Sequence, residues 1–271
     1  MKECISKNAM GRKEIISWRL KNMLEMAKEI NKNQDLVSTL AENNQYLRIC
    51  GEKFMPVSLA DCTPLSGYGN SPCAVLSSAL EHFKTKEPNS VEKITLDRKG
   101  ERRLQCWLIR QALNNGRSLE KTFSTSLFGF DDILFVLDEV SLGDKNHPPI
   151  KRCDLLCVGL KNGQWHPVVI ELKNLRIGKE LVNQVIEYAE EFAEHRNEFD
   201  QLFLEITGKS VVKGELLKMV IFPEPKTSKL TKNLEETYRL FEEKGICLVE
   251  YKATGQGTFS FNPAGCSVGR I

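Results

Sequence analysis

No run of about 18 uninterrupted apolar residues occurs in the 271-residue chain, so no membrane-spanning helix and no membrane partner are expected. The opening MKECISKNAMGRKEIIS lacks the apolar segment of a signal peptide, and the cytoplasm is the expected compartment. Zinc spacing is missing too. The nine cysteines contain no CxxC pair, and the nearest, Cys62 with Cys73 and Cys153 with Cys157, have no second pair beside them. An odd count at irregular spacing is not a disulfide framework, so free thiols in a reducing compartment are expected. Charge of one sign is not in excess: Lys+Arg 38 against Asp+Glu 36 leaves +2, which excludes a strongly basic arm. It does not exclude nucleic acid, because phosphate answers to the local arrangement of Lys and Arg, not to their sum. Two nucleotide-binding patterns fail. Gly208-Lys209-Ser210 ends like a phosphate loop but has Phe203 at its first glycine, and Gly255-Gln256-Gly257 lacks a third glycine. The histidines His82, His147, His166 and His195 have no nucleophile-and-base spacing.

What is present is an ordinary globular composition, 41% hydrophobic and 27% charged, long enough for one large domain or two modest ones. Residues 1–92 read as a mainly helical region of unassigned role. From Arg12 to Glu29 the residues Ile15, Ile16, Leu20, Met23, Leu24 and Ala27 recur at helical spacing, and Asp35 is placed to cap a second helix. Pro56 to Cys73 is rich in Pro, Gly and Ser and reads as loop, Ala79 to Phe83 as a short helix, and KTKEPNS near Pro88 as a linker. Residues 93–271 alternate differently. Glu101 to Leu113 reads as a helix; Ile133 to Val140, Arg152 to Leu160 and Pro167 to Lys173 as strands; Gly178 to Phe199 as one long helix. Leu216 to Phe222, a helix from Thr231 to Glu243, and Ile246 to Tyr251 complete an α/β (α+β) pattern, a mixed central sheet flanked by helices.

The sharpest local signal is Asn162-Gly163 between two apolar runs, the preferred two-residue type I′ hairpin turn, with positive φ at both positions. It sets a register. With Lys161 facing Gln164, Asp154 falls opposite Glu171, and the strand's period of two puts Lys173 on the face of Glu171. Like charges facing each other across a sheet are destabilising, so the pair calls for compensation. A divalent cation supplies it, since Mg²⁺ is held by one or two carboxylates together with waters and phosphate. Without a cation, the same residues read as a strand-end Asp and an exposed Glu–Lys ion pair.

Two helices add to this. On the first, Leu104, Leu108 and Ala112 form the apolar stripe, and Glu101 and Gln105 fall inside it. Glu101 either complements the helix dipole or lends a third carboxylate to the metal. On the long helix, Gln184 and Tyr188 border the apolar arc of Leu181, Val182, Val185, Ile186, Ala189 and Phe192, where they either cover the core's rim or face a ligand.

Glu101, Asp154, Glu171-Leu172-Lys173 and Gln184-Val185-Ile186-Glu187-Tyr188 together resemble the PD-(D/E)XK nuclease superfamily, with Cys153 where the founding motif has its proline. ERRLQCWL is similar to the E-x-x-L-Q-x-x-L start of many members. The resemblance covers roughly the last two thirds of the chain. It implies a restriction-endonuclease-like core of a helix, three antiparallel strands, a helix and a further strand. It implies metal ligation by Asp154, Glu171 and Glu101, with Lys173 as the catalytic lysine and Mg²⁺ or Mn²⁺ as cofactor. Gln184 and Tyr188 match the QxxxY motif of the RecB-like and λ-exonuclease-like branch, which implies contact with the nucleic acid strand. The expected function is metal-assisted hydrolysis of phosphodiester bonds, with DNA favoured over RNA and a homodimer left open. Arg98 to Lys121 and Lys209 to Lys232 hold the basic residues that would track a backbone. The alternative is a non-catalytic nucleic-acid-binding or protein-interaction module on the same fold.

Overall fold

A computed structural model describes residues 101–123, 129–141, 152–174, 178–214, 216–224, 232–254 and 258–264, with Glu14, Ile16, Ser17, Leu20, Lys21, Met23, Leu24, Ala27 and Lys28 from the first ninety. The expected loop at 56–73, the helices at Asp35 and Ala79, and the linker at Pro88 lie outside the described residues.

Helix α1 (Glu101–Asn114) comes first, buried along Leu104, Leu108, Ile109 and Ala112, followed by the single turn α2 (Glu120–Phe123). Strands β1 (Asp132–Ser141), β2 (Arg152–Lys161) and β3 (Gln164–Leu172) form an antiparallel meander. Helices α3 (Glu180–Glu194) and α4 (Arg196–Thr207) cross to β4 (Leu217–Pro223), parallel to β3. Helix α5 (Lys232–Glu243) then leads to β5 (Ile246–Ala253), parallel to β4, and β6 (Phe259–Pro263) closes the sheet antiparallel. The six strands lie side by side in chain order, a mixed sheet of the α+β class.

The middle strands are apolar on both faces because both faces are covered. On one, Leu156, Val158, Val169 and Val220 pack with Val182, Val185, Tyr188, Phe192, Phe199 and Phe203. On the other, Leu155, Cys157, Val168, Ile170 and Leu172 pack with Leu104, Leu108 and Ile109 of α1. Each side chain so buried contributes about 1.5–3 kcal/mol, which is why the helices sit where they do. The β1–β2 register shifts between Phe135 and Leu137, and the Arg117 guanidinium donates to the carbonyls of Phe135 (3.3 Å) and Val136 (3.4 Å) beside that bulge. Burial lowers the Arg117 pKa to about 10.

Two features depart from the sequence pattern. The expected long helix from Gly178 to Phe199 is two helices, divided at His195 (φ −114°, ψ 25°). The backbone N–H of His195 is shared between Glu191 (3.2 Å) and Phe192 (3.3 Å), and the turn re-aims the chain so that Phe199 and Phe203 meet Phe192 at ring distances of 4.9 and 6.0 Å. Periodicity could not reveal the break because the apolar residues continue across it. Secondly, Ile16, Leu20, Met23 and Ala27 are helical and buried in the same core as Phe192, Phe199 and Phe203, so this part of the first ninety residues packs on the sheet's own core. Among the described residues, no helix is long and apolar enough to cross a membrane.

That packing makes the early helix a stabilising element of the whole. Leu20→Ala, at a side chain only 2% exposed, is expected to lower the free energy of unfolding by about 2–5 kcal/mol. Urea unfolding followed by circular dichroism checks it, and a loss under about 0.5 kcal/mol would mean that Leu20 is peripheral.

Candidate active site

The hairpin that sets the site has Asn162 at φ 52° and Gly163 at φ 73°, both positive as the turn requires. The β2–β3 register runs from Lys161 opposite Gln164 to Leu155 opposite Ile170. Asp154 and Glu171 are therefore the next residues on each strand. Glu171 and Leu172 pair on the other side with Val220 and Ile221 of β4, and the Lys173 N–H continues that ladder to the Ile221 carbonyl at 2.8 Å. Asp154 Oδ2 accepts the Leu172 N–H at 2.7 Å, so a side chain takes over where the β2–β3 pairs end. The strand's period of two carries Glu171 onto the face of Val169, the face that α3 covers.

Glu171 is 2% exposed. Its Oε1 accepts from Lys173 Nζ and from Gln184 Nε2, both at 2.6 Å. The second N–H of Gln184 reaches the Tyr188 hydroxyl at 2.5 Å, and that hydroxyl donates to the Arg152 carbonyl on β2. The other carboxylate oxygen, Glu171 Oε2, is buried and makes no hydrogen bond. From the α1 side, the buried amide of Gln105 donates to the Asp154 carbonyl at 3.1 Å.

Electrostatics bring in the rest. Burial raises the Asp154 pKa well above the carboxylate range, and Glu171 and Glu101 add to the rise. Burial also raises Glu171, with Lys173 opposing and Glu101 adding. For Lys173, burial alone would lower the pKa, but the charges of Glu171, Asp154 and Glu101 outweigh it and hold the ammonium protonated beyond its usual range. Glu101, half-buried in the first turn of α1 and on the favourable end of the helix dipole, also raises the Tyr251 hydroxyl on β5, after burial. Asp154 and Glu171 thus share one field with the Lys173 ammonium, and a further positive charge beside them would lower both pKa values.

The donor set fits a hard divalent cation: carboxylate oxygens, one of them buried and without a hydrogen bond, while the nearby Cys153 is held as a neutral thiol by burial and by Glu171 and Asp154. Asp154 and Glu171 could hold it, with waters completing the shell. Glu101 is looser. Among the described residues, the three ligand-type side chains whose donor atoms all lie within 4.8 Å of one another are Glu191, Glu194 and His195, at the α3–α4 turn. There Ser17 contacts His195 Nδ1 at 3.3 Å and donates to Glu198 at 2.6 Å, so the group forms a polar seam under the early helix.

Comparison with family models, with curated proteins and with solved structures finds no match to this chain.

Of the residues singled out in the sequence, Lys173 and Gln184 bond directly to Glu171, and Asp154 and Glu101 are near enough for their charges to act on it or on each other. Among the described residues, however, Glu101, Asp154 and Glu171 do not bring three ligand atoms within 4.8 Å of one another. Tyr188 lies behind them, fully buried, its hydroxyl turned into the protein. Periodicity placed Gln105 inside the buried stripe of α1 but could not give it a partner, because the Asp154 carbonyl is backbone. Tyr251 was seen only as a strand residue.

Because the folded protein holds the Asp154 proton to higher pH than the unfolded chain does, this group costs stability as pH rises through the ordinary Asp range and beyond. Asp154→Asn keeps an oxygen for the Leu172 N–H and removes the charge. It is expected to raise the thermal midpoint by a few degrees at neutral pH, with the gain shrinking near pH 4. Thermal unfolding at the two pH values checks this; an equal gain at both would mean that charge is not the cause.

Proposed function

We propose that this protein is a metal-dependent nuclease that hydrolyses phosphodiester bonds, with DNA favoured over RNA, built on a restriction-endonuclease-like core of the PD-(D/E)XK superfamily. One observation carries the reading: a buried carboxylate oxygen without a hydrogen bond, Glu171 Oε2, beside Asp154 and Lys173 at the ends of the central strands. The order of a helix, three antiparallel strands, a helical crossover and a parallel strand supports it.

On this reading Asp154 and Glu171 would hold Mg²⁺ or Mn²⁺, with Glu101 contributing negative charge to the same field. When bound, such a cation supplies Lewis acidity and offsets the charge of a phosphodiester. Lys173, held at 2.6 Å from Glu171 Oε1, would place its ammonium beside the phosphodiester. Gln105 and the Leu172 N–H hold the Asp154 segment in place from either side. Among the described members of the basic segments, Arg103, Lys121, Lys209, Lys213 and Lys218 would meet a phosphate backbone, while Arg117 donates to the Phe135 and Val136 carbonyls.

A second reading, a binding module that cuts nothing, is favoured by the Lys173–Glu171 ion pair, which already neutralises one carboxylate without a cation. Incubation with single-stranded, double-stranded and branched DNA and with RNA, in Mg²⁺, Mn²⁺ or EDTA, separates the two. Cleavage that needs the metal and falls by about 10²-fold or more in Glu171→Ala and in Lys173→Ala is expected. Cleavage that survives both substitutions would sink the site assignment, and salt-sensitive binding without cleavage would establish the module.

A further inference from the structure

We infer that Gln184 and Tyr188 are positioning residues for Glu171, forming a buried relay from β2 to the carboxylate, and that they do not contact the nucleic acid. The inference rests on the proposed metal-dependent reading of the site. It follows from where the donors of the two side chains go.

The Gln184 side chain must turn its N–H end toward Glu171, since its carbonyl end would repel the carboxylate. That places one N–H on Glu171 Oε1 at 2.6 Å and the other on the Tyr188 hydroxyl. The hydroxyl, having accepted from Gln184, gives its own proton to the Arg152 carbonyl. Both donors of the amide and the single donor of the phenol are thereby used inside the protein. Tyr188 is 0% exposed, its ring packed with Val185 and Phe192 in the core, so no strand reaches it without unpacking α3.

The relay does two things. Arg152 stands two residues before Asp154 on β2, and Glu171 is on β3, so α3 is bonded to both carboxylate-bearing strands and holds their ends in one geometry. It also divides the labour of the Glu171 oxygens. Oε1 accepts two donors, one of them the Lys173 ammonium, while Oε2 accepts none. Oε2 is therefore the Glu171 oxygen that would be left to hold a cation, and the partners of Oε1 fix the rotation of the carboxylate. Hydrogen bonds behind a metal ligand typically change affinity by about 10–100-fold when removed.

The test uses the full chain carrying Gln184→Leu or Tyr188→Phe, the second removing only an oxygen from the buried ring. Mn²⁺ affinity is measured by electron paramagnetic resonance titration, and affinity for a fluorescent DNA oligonucleotide is measured in EDTA. The expected result is Mn²⁺ binding about 10-fold weaker or more in each variant, with EDTA affinity for DNA within about twofold of wild type. Unchanged Mn²⁺ binding, or a loss of metal-free DNA affinity in a variant with a wild-type circular dichroism spectrum, would overturn the inference. A wild-type protein that takes up no Mn²⁺ overturns the metal-dependent reading first, and this inference falls with it, which sets that failure apart from a defect confined to the variants.

Discussion

Glu171 is a carboxylate almost sealed from water at the end of a central strand, and much of the surrounding structure follows from the need to make that tolerable. An isolated buried charge costs several kcal/mol, more than one hydrogen bond returns. Lys173 supplies the opposite charge from two residues along, on the same face by the strand's own alternation. Gln184 supplies a second donor from across the layer, which requires α3 to lie against β3 at that height. Tyr188 extends the same requirement to β2. Placing α3 is thus partly an electrostatic matter, on top of the apolar contacts of Val182 and Val185 that any amphipathic helix would make.

The compensation is incomplete, and the incompleteness is directional. Glu171 and Asp154 both stay above the ordinary carboxylate range even with Lys173 beside them, and Glu101 pushes both further. A site selected only for stability would place leucine or glutamine at one of these positions, since replacing buried ionic groups by apolar ones is often neutral or stabilising. The arrangement instead keeps charge unrelieved at one edge of the cluster and saturates the other. Such a tension makes sense where a cation completes the set, which is why the proposed function and the cost in stability are two aspects of the same side chains.

How far this could be read from residues alone depends on whether the controlling interaction was local. The hairpin was legible because Asn162-Gly163 dictates its own geometry, and once the turn is known the neighbourhood of Asp154 and Glu171 follows by counting. The strands β2 and β3 and the stripe of α1 were legible for the same reason. The break at His195 was not, because it is driven by where Phe199 and Phe203 find burial beside Phe192, a tertiary matter. Strand β6 offers only Phe259 and Phe261 as alternating apolar residues, too few to stand out before Trp107 and Phe123 are seen packed on them. The burial of Ile16, Leu20, Met23 and Ala27 was visible as a stripe, but a stripe does not say which core receives it.

The same distinction explains what the polar pattern on α3 could and could not convey. Spacing put Gln184 and Tyr188 one turn apart at the border of an apolar arc, and at a border a side chain can turn outward to a ligand or inward to the sheet. What decides is the balance of unmet hydrogen bonds on each side. Inward, Glu171 Oε1 and the Arg152 carbonyl are part-buried acceptors at strand ends, where β2 and β3 have ceased to pair with each other. Leaving either unmet costs about 1–3 kcal/mol, whereas a donor facing solvent loses nothing. The inward turn therefore wins for both residues, and the helix that looked like a binding surface becomes the wall that holds the carboxylate still.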